Sequence, residues 1–240
     1  PFDIAKKGGE QVVSFTLIPP NGQSEGNLRA VLNMDGKSYD QSLMQIEYDH
    51  IPKLSILFPA ETKIVRLDLA TTKKRIAYIT GAGDEVPASL AQLGYEVIEI
   101  KAEEIEAALL KNFDAVITGI RAYNIHEVLA LKQPILLEYV RNGGNMIVQY
   151  NTTQQLKVKD NLAPYALQLS NDRVTDENAE VRFLDPAQSI LNYPNKITKA
   201  DFEGWVQERG LYFPKTWAPE FVPVLSMNDK GESAKDGSFL

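Results

Sequence analysis

Cysteine is absent from this 240-residue chain. That alone removes disulfides, thiolate metal sites and cysteine nucleophiles. Histidine is scarce: His50 and His126 are the two present, too few for a zinc site built on several imidazoles. Long apolar runs are missing as well. Stretches such as 115–117 or 135–137 fall far short of the roughly 20 residues that a membrane-spanning helix requires. Nor is there an excess of positive charge. A net charge of -7 and a pI near 5.0 argue against nucleic acid and anionic membrane as main partners, since both need a basic footprint. The missing cysteines do not fix a compartment. The chain opens on Pro1 without an initiator Met or a leader-type segment and stops on apolar residues, so it is expected to be a piece of something longer.

What is present is enough hydrophobic residue, 44%, for a real core. Two patterns divide the chain. Residues 1–70 read as β-structure, with Val13, Phe15 and Leu17 alternating with polar neighbours and a second run from Leu28 to Leu32. Asn33-Met34-Asp35-Gly36 supplies a turn, and further strands are expected at 42–48 and 64–69. Four or five short strands suggest a β-sandwich-like domain, incomplete because a sandwich needs about seven. A polar linker, 70–74, then gives way to strand–helix alternation over 73–240. Strands are expected at 75–80, 96–100, 115–118 and 146–150, with helices at 85–93, at 102–111 and from Pro134 to Asn142. That alternation predicts an α/β domain with a doubly wound, mostly parallel sheet. Beyond Asn151 the rhythm weakens: a strand is expected at 181–183, a short helix at 201–207, a strand at 221–227 and a hairpin turn at 228–231 into 238–240.

Open sheets of this kind bind ligands beyond the carboxyl ends of their strands. Gly81-Ala82-Gly83-Asp84 follows the first of these strands, where a dinucleotide fingerprint would stand, but the third glycine position is Val86. Asp84 reads better as a helix cap, and two carboxylates at 84 and 85 oppose a phosphate. After the third strand, Arg121 offers a fork for a carboxylate or phosphate, with Tyr123 and Asn124 placed to meet a sugar. The blander reading is a loop whose Arg pairs with a surface acid. The run from Gln149 to Thr153 suits either a crevice floor or a loop that satisfies its own backbone. Trp205, three residues from Phe202, is either a stacking platform for a sugar or core packing. His126, beside Glu127, reads as a surface or packing residue, and His50 as structural. The candidate ligand-binding set is therefore Gly81, Gly83, Arg121, Tyr123, Asn124, Asn151 and Trp205.

Two stretches, Gly144-Asn145-Met146-Ile147-Val148-Gln149-Tyr150-Asn151 and Gly204-Trp205-Val206-Gln207-Glu208-Arg209-Gly210-Leu211-Tyr212-Phe213-Pro214, resemble the C-terminal region of long bacterial LmbE-like, or PIG-L family, deacetylases. The resemblance spans the whole chain; its specific part is 201–214. It implies a flavodoxin-like, class I glutamine amidotransferase-like domain behind a zinc-dependent N-acetylglucosaminyl deacetylase domain. The family's His-Pro-Asp-Asp zinc motif is absent, so zinc is expected only in that missing N-terminal domain and no cofactor in this chain. If the fourth strand carries the amidotransferase elbow, Asn151 holds the nucleophile's position, and no His follows His126 to act as base. The resemblance also implies carbohydrate as partner, intramolecular packing on a catalytic domain, and an exported or periplasmic setting.

The reading is thus a non-catalytic accessory region of a larger deacetylase-type hydrolase, with no catalytic or metal-ligating residue in this chain. Two rivals stand beside it. One is an independent hydrolase using carboxylates such as Asp84 and Glu138, although Glu138 falls mid-helix. The other is a structural dimerisation module.

Overall fold

The computed structural model describes Ile4 and residues 6–240, divided into two compact units, Pro1–Leu69 and Ala70–Leu240. The first holds β1 (Ser24–Arg29), β2 (Leu32–Met34), β3 (Lys37–Tyr39), β4 (Gln41–Tyr48), β5 (Ile51–Pro59) and β6 (Glu61–Arg66). They pair antiparallel as three separate ladders: β1 with β6, β2 with β3, and β4 with β5. Asp35 and Gly36, both at positive φ (51° and 72°), make the tight turn between β2 and β3. Among its described residues none is buried, and Leu43, Leu54, Leu57 and Phe58 of the β4–β5 hairpin lie open.

Three expectations for this unit are corrected. Val13, Phe15 and Leu17 form no strand and are exposed, because no neighbouring chain supplies a ladder for them. The run 28–32 is not one strand: Ala30 and Val31 separate β1 from β2. Strand β5 was not anticipated, since Pro52 and Pro59 bracket it; in a two-stranded ladder each strand needs only one bonding edge, so proline is tolerated on the other.

In the second unit the alternation runs β7 (Arg75–Ile79), α1 (Val86–Gln92), β8 (Glu96–Ile100), α2 (Ala107–Leu110), β9 (Ala115–Thr118), α3 (Ala122–Ile125), α4 (Leu129–Arg141) and β10 (Asn145–Val148). The four strands are parallel in the order β10-β9-β7-β8. The central strands are near-continuous apolar runs because both their faces are covered. Ala77, Ile79 and Val116 pack on one side against Leu110, Tyr123, Leu129 and Leu136. Ile76, Tyr78 and Ile117 pack on the other against Val86, Leu90, Tyr95 and Val97.

Two helices differ from expectation. The predicted helix 102–111 is a 3₁₀ turn at Ala102–Glu104 followed by α2, because Ile105 and Glu106 are extended (ψ 114° and 147°). Ile105 is wholly buried, and its carbonyl accepts the Lys132 ammonium at 2.9 Å rather than continuing a helix. The helix expected to start at Pro134 starts at Leu129, with Pro134 inside it. Its end is as read: Gly143, at φ 90°, and Gly144 donate to the Val140 and Tyr139 carbonyls.

Beyond β10 lie short strands: β11 (Leu167–Leu169), β12 (Arg173–Val174), β13 (Arg182–Phe183), β14 (Gly210–Leu211), β15 (Pro214–Trp217), β16 (Leu225–Met227) and β17 (Lys235–Asp236). The antiparallel pairs are β11–β15, β12–β14, β13–β16 and β16–β17. They enclose a second core of Val174, Val181, Leu191, Phe213, Leu225 and Met227. The helix expected at 201–207 is a 3₁₀ turn, Lys199–Phe202, closed by reciprocal Thr198 and Asp201 bonds. Trp205 therefore lies outside any helix. The C-terminal hairpin pairs β16 with 235–236 rather than with 238–240.

Candidate functional site

The carboxyl end of the parallel sheet is where the chain places most of its chemistry. Strand β7 ends in Thr80-Gly81, β9 in Gly119-Ile120-Arg121, and β10 in Gln149-Tyr150-Asn151. Since β8 lies on one side of β7 and β9 on the other, the chain reverses direction at β7. The two loops flanking that reversal touch backbone to backbone. The Ala82 amide donates to the Ile120 carbonyl at 2.8 Å, and a Cβ on Gly81 would lie 2.1 Å from the same oxygen. A Cβ on Gly119 would meet the Gly81 nitrogen at 2.6 Å. Both positions need glycine for close approach. Gly83 needs it for a different reason, its φ of 104°.

Asp84 closes this junction. Its carboxylate accepts the Tyr78 hydroxyl (2.5 and 2.6 Å to its two oxygens), the Val86 amide at 3.0 Å and the Ile120 amide at 3.3 Å. The N-cap of α1 is Glu85, which makes no side-chain cap bond; Asp84, expected to be the cap, stands one residue earlier, where its carboxylate meets the first amide of α1 and ties in the loop after β9. Tyr78 in turn accepts the Gln149 side-chain amide at 2.8 Å. Burial, then the Asp84 carboxylate, hold the Tyr78 phenol well above its ordinary range, so it stays a neutral donor. His126 also belongs here. Its Nε2 lies 2.9 Å from the Thr80 carbonyl, which can only accept, so that nitrogen carries the proton.

Arg121 sits at the apex of the turn from β9 into α3 in the left-handed region, φ 57° and ψ 20°. For a residue with a side chain that conformation costs about 1–2 kcal/mol. It is held there by its amide, which donates to the Tyr150 carbonyl at 2.9 Å. Its guanidinium is exposed and has no ion pair or hydrogen bond among the described residues. The turn from β9 into α3 thus passes through a left-handed residue, whereas no helix follows β10 before β11. The Tyr150 ring, 44% exposed, lies parallel to that of Tyr212, their centroids 6.4 Å apart and their planes within 3°. Tyr212 too is held at positive φ, 55°.

The other expected residues are distributed differently. Tyr123 is wholly buried in the core under α4, and burial pushes its phenol up to about 12. Asn124 and Asn151 are buried braces between α3 and the chain after β10. Asn151 Oδ1 accepts the Tyr123 amide at 3.0 Å; Asn124 donates to the Thr152 carbonyl and accepts the Thr152 amide, both at 2.9 Å. Trp205 is not brought to this edge. It packs on Phe202, 5.5 Å between centroids, with the Arg209 guanidinium 5.6 Å over its ring, beside the second core. The residue remains 44% exposed. Sequence reading placed Gln149 in a possible crevice floor but missed Tyr78 and Tyr212; the one available signal for Tyr78 was a hydroxyl near the end of an otherwise apolar strand, six residues before an acid.

No family model matches this chain. No curated protein matches it. Among solved structures, the chain is similar to a Thermoplasma acidophilum protein provisionally described as a GMP synthase component, with 12% identity, a TM-score of 0.42, and 70% of this chain and 80% of that one covered. So distant a likeness carries no functional argument.

Proposed function

We propose that the second unit is a doubly wound, flavodoxin-like scaffold of the class I amidotransferase kind without catalytic machinery of its own, and that it binds carbohydrate at the carboxyl edge of its sheet. In this reading the chain is an accessory region of a larger LmbE-like, or PIG-L family, deacetylase-type hydrolase. The first unit is then a piece of a β-sandwich, and zinc belongs to the domain that would precede it.

The observation that carries the binding role is Arg121. A strained backbone, an exposed guanidinium without a partner among the described residues, and a main-chain bond to Tyr150, whose ring lies parallel to that of Tyr212, put a cation and an aromatic pair on neighbouring loops of this edge. That combination suits a sugar bearing a carboxylate. A non-catalytic role is supported by what the candidate acids do. The Asp84 carboxylate is occupied by three donors, while Glu138 pairs with Arg141 near the end of α4 that leads into the start of β10. These two carboxylates belong to opposite ends of a parallel sheet and cannot share one scissile bond, which weighs against the rival hydrolase.

The test is calorimetric titration of the intact chain with a glucuronate-containing oligosaccharide. Arg121→Ala should weaken binding by about 1.5–3 kcal/mol, the value of a hydrogen bond to a charged group. Arg141→Ala, on the far end of α4, should change little. Equal affinities for the two variants would mean that another surface is used.

A further inference from the structure

A groove of about 890 Å3 opens in the second unit, bordered by the chain after β10 and by β11, and shares no residue with the Arg121 edge. Its apolar lining is aliphatic: Leu156, Leu162, Leu167 and Leu169. Its charged lining is Lys157, Lys159 and Lys215 against one acid, Glu127, which pairs with Lys157 at 3.0 Å. Lys159 and Lys215 are exposed and have no ion-pair or hydrogen-bond partner among the described residues. In a chain of net charge -7, this is a local reversal of sign.

The strand geometry explains how the groove is made. Leu167, Gln168 and Leu169 are consecutive, and all three line it. Side chains of a strand alternate between faces, so three in a row reach one groove only with help from main-chain atoms, which places the β11 backbone in its wall. Strand β11 pairs with β15 alone, which leaves that edge without a ladder among the described residues. Lys215 reaches the groove by a bulge. Gln168 lies opposite Thr216 and Leu169 opposite Pro214, leaving Lys215 as the extra residue of β15. A bulge re-aims the side chain it carries.

The geometry points to a docking site for an extended acidic peptide that adds a strand to β11. Main-chain groups of the free edge supply the ladder, and lysine ammoniums meet carboxylates on the incoming strand. The leucine floor takes the alternate apolar side chains. A floor without aromatic rings lacks the stacking surface that a sugar would use, which sets this site apart from the tyrosine pair.

The experiment uses the intact chain and a fluorescein-labelled peptide of alternating glutamate and valine, followed by fluorescence anisotropy. The expected result is saturable binding that the double variant Lys159→Glu, Lys215→Glu weakens by at least about tenfold, through lost charge pairing, with an unchanged melting curve. A lysine–valine peptide should not bind. The glutamate–valine peptide N-methylated on alternate residues should lose binding, because it cannot complete a ladder. The ligand-side controls do not depend on the variants folding. Absence of binding, indifference to N-methylation, or indifference to the lysine changes would each overturn the proposal. So would equal binding of plain polyglutamate or of phosphatidylglycerol vesicles, which would make the groove a general anion or lipid surface. Self-association abolished by the same double variant, without peptide binding, would assign the groove to a second copy of the chain and overturn it likewise.

Discussion

At the scale of single residues, the Tyr78–Asp84 pair links stability to pH. A tyrosine whose pKa is raised on folding contributes stability that is complete below its ordinary value of 10.0 and is lost as pH rises toward the folded value. Tyr139 is raised as well, and Tyr123 to about 12, so the effect extends across three phenols. The melting temperature of the intact chain is therefore expected to hold between neutral pH and about 9 and to fall steeply above 10. Tyr78→Phe should lower stability at neutral pH by about 1–2 kcal/mol, since Asp84 loses a donor and Gln149 an acceptor. Its decline above pH 10 should be shallower than in the parent. Parallel pH profiles for the two proteins, read by thermal melts, would show that Tyr78 is not the titrating group. The positions of Gly81, Arg121 and Asn151 at the sheet edge were legible because strand ends place loops. The orientation of Tyr123 was not. It follows from the left-handed turn at Arg121, and no residue type at that position announces a positive φ as glycine would.

Among the elements, the strands β7 to β10 were legible almost to the residue because apolar runs bounded by glycine and acid turns have no other use in a short stretch. The helices were less so. Pro134 was read as a first-turn proline, yet it is the sixth residue of α4, where it cannot donate to the Ala130 carbonyl. The helix survives because Leu129 and Leu136 are wholly buried and Gln133 holds the Asn161 and Leu162 carbonyls at 2.8 and 3.2 Å. Burial of that face outweighs local propensity, which is why propensity alone misplaced the start. Pro134 itself is exposed, so replacing it should restore a bond without disturbing the core. Pro134→Ala is expected to stabilise the protein by about 1–3 kcal/mol. Urea denaturation measures this; a destabilised variant would mean that α4 packs only with the local geometry the proline imposes. Shorter elements left weaker signals. Strands β13 and β16 fall within the runs expected at 181–183 and 221–227, but β11, β12 and β14 are defined by pairing far along the sequence, as in Leu167 with Trp217 or Arg173 with Leu211, and nothing local marks them.

For the whole molecule, burial divides unequally between the two units. The buried apolar residues, from Ile76 to Met227, all belong to Ala70–Leu240. Among the described residues of Pro1–Leu69 no side chain is buried: Leu43, Leu57 and Phe58 remain 57%, 58% and 42% exposed. Its hydrogen bonds and surface pairs, such as Arg29 with Glu61 at 2.9 Å and Lys63 with Glu25 at 2.9 Å, are solvent-facing, and each such pair is worth at most about 1 kcal/mol. Isolated hairpins of this kind are marginal in water, since ordering each residue costs about 1–2 kcal/mol and only burial offsets it. Two fragments test this directly. Residues 70–240, produced alone, should unfold cooperatively with a midpoint close to that of the intact chain, because both cores remain entire. Residues 1–69, produced alone, should show no cooperative transition by circular dichroism and rapid exchange of the β4–β5 amides. A sharp melt of the short fragment would mean that its ladders find a covered face by associating with one another, and sedimentation of the same sample would reveal the oligomer that supplies it. A monomeric short fragment with a sharp melt would overturn the argument from burial altogether.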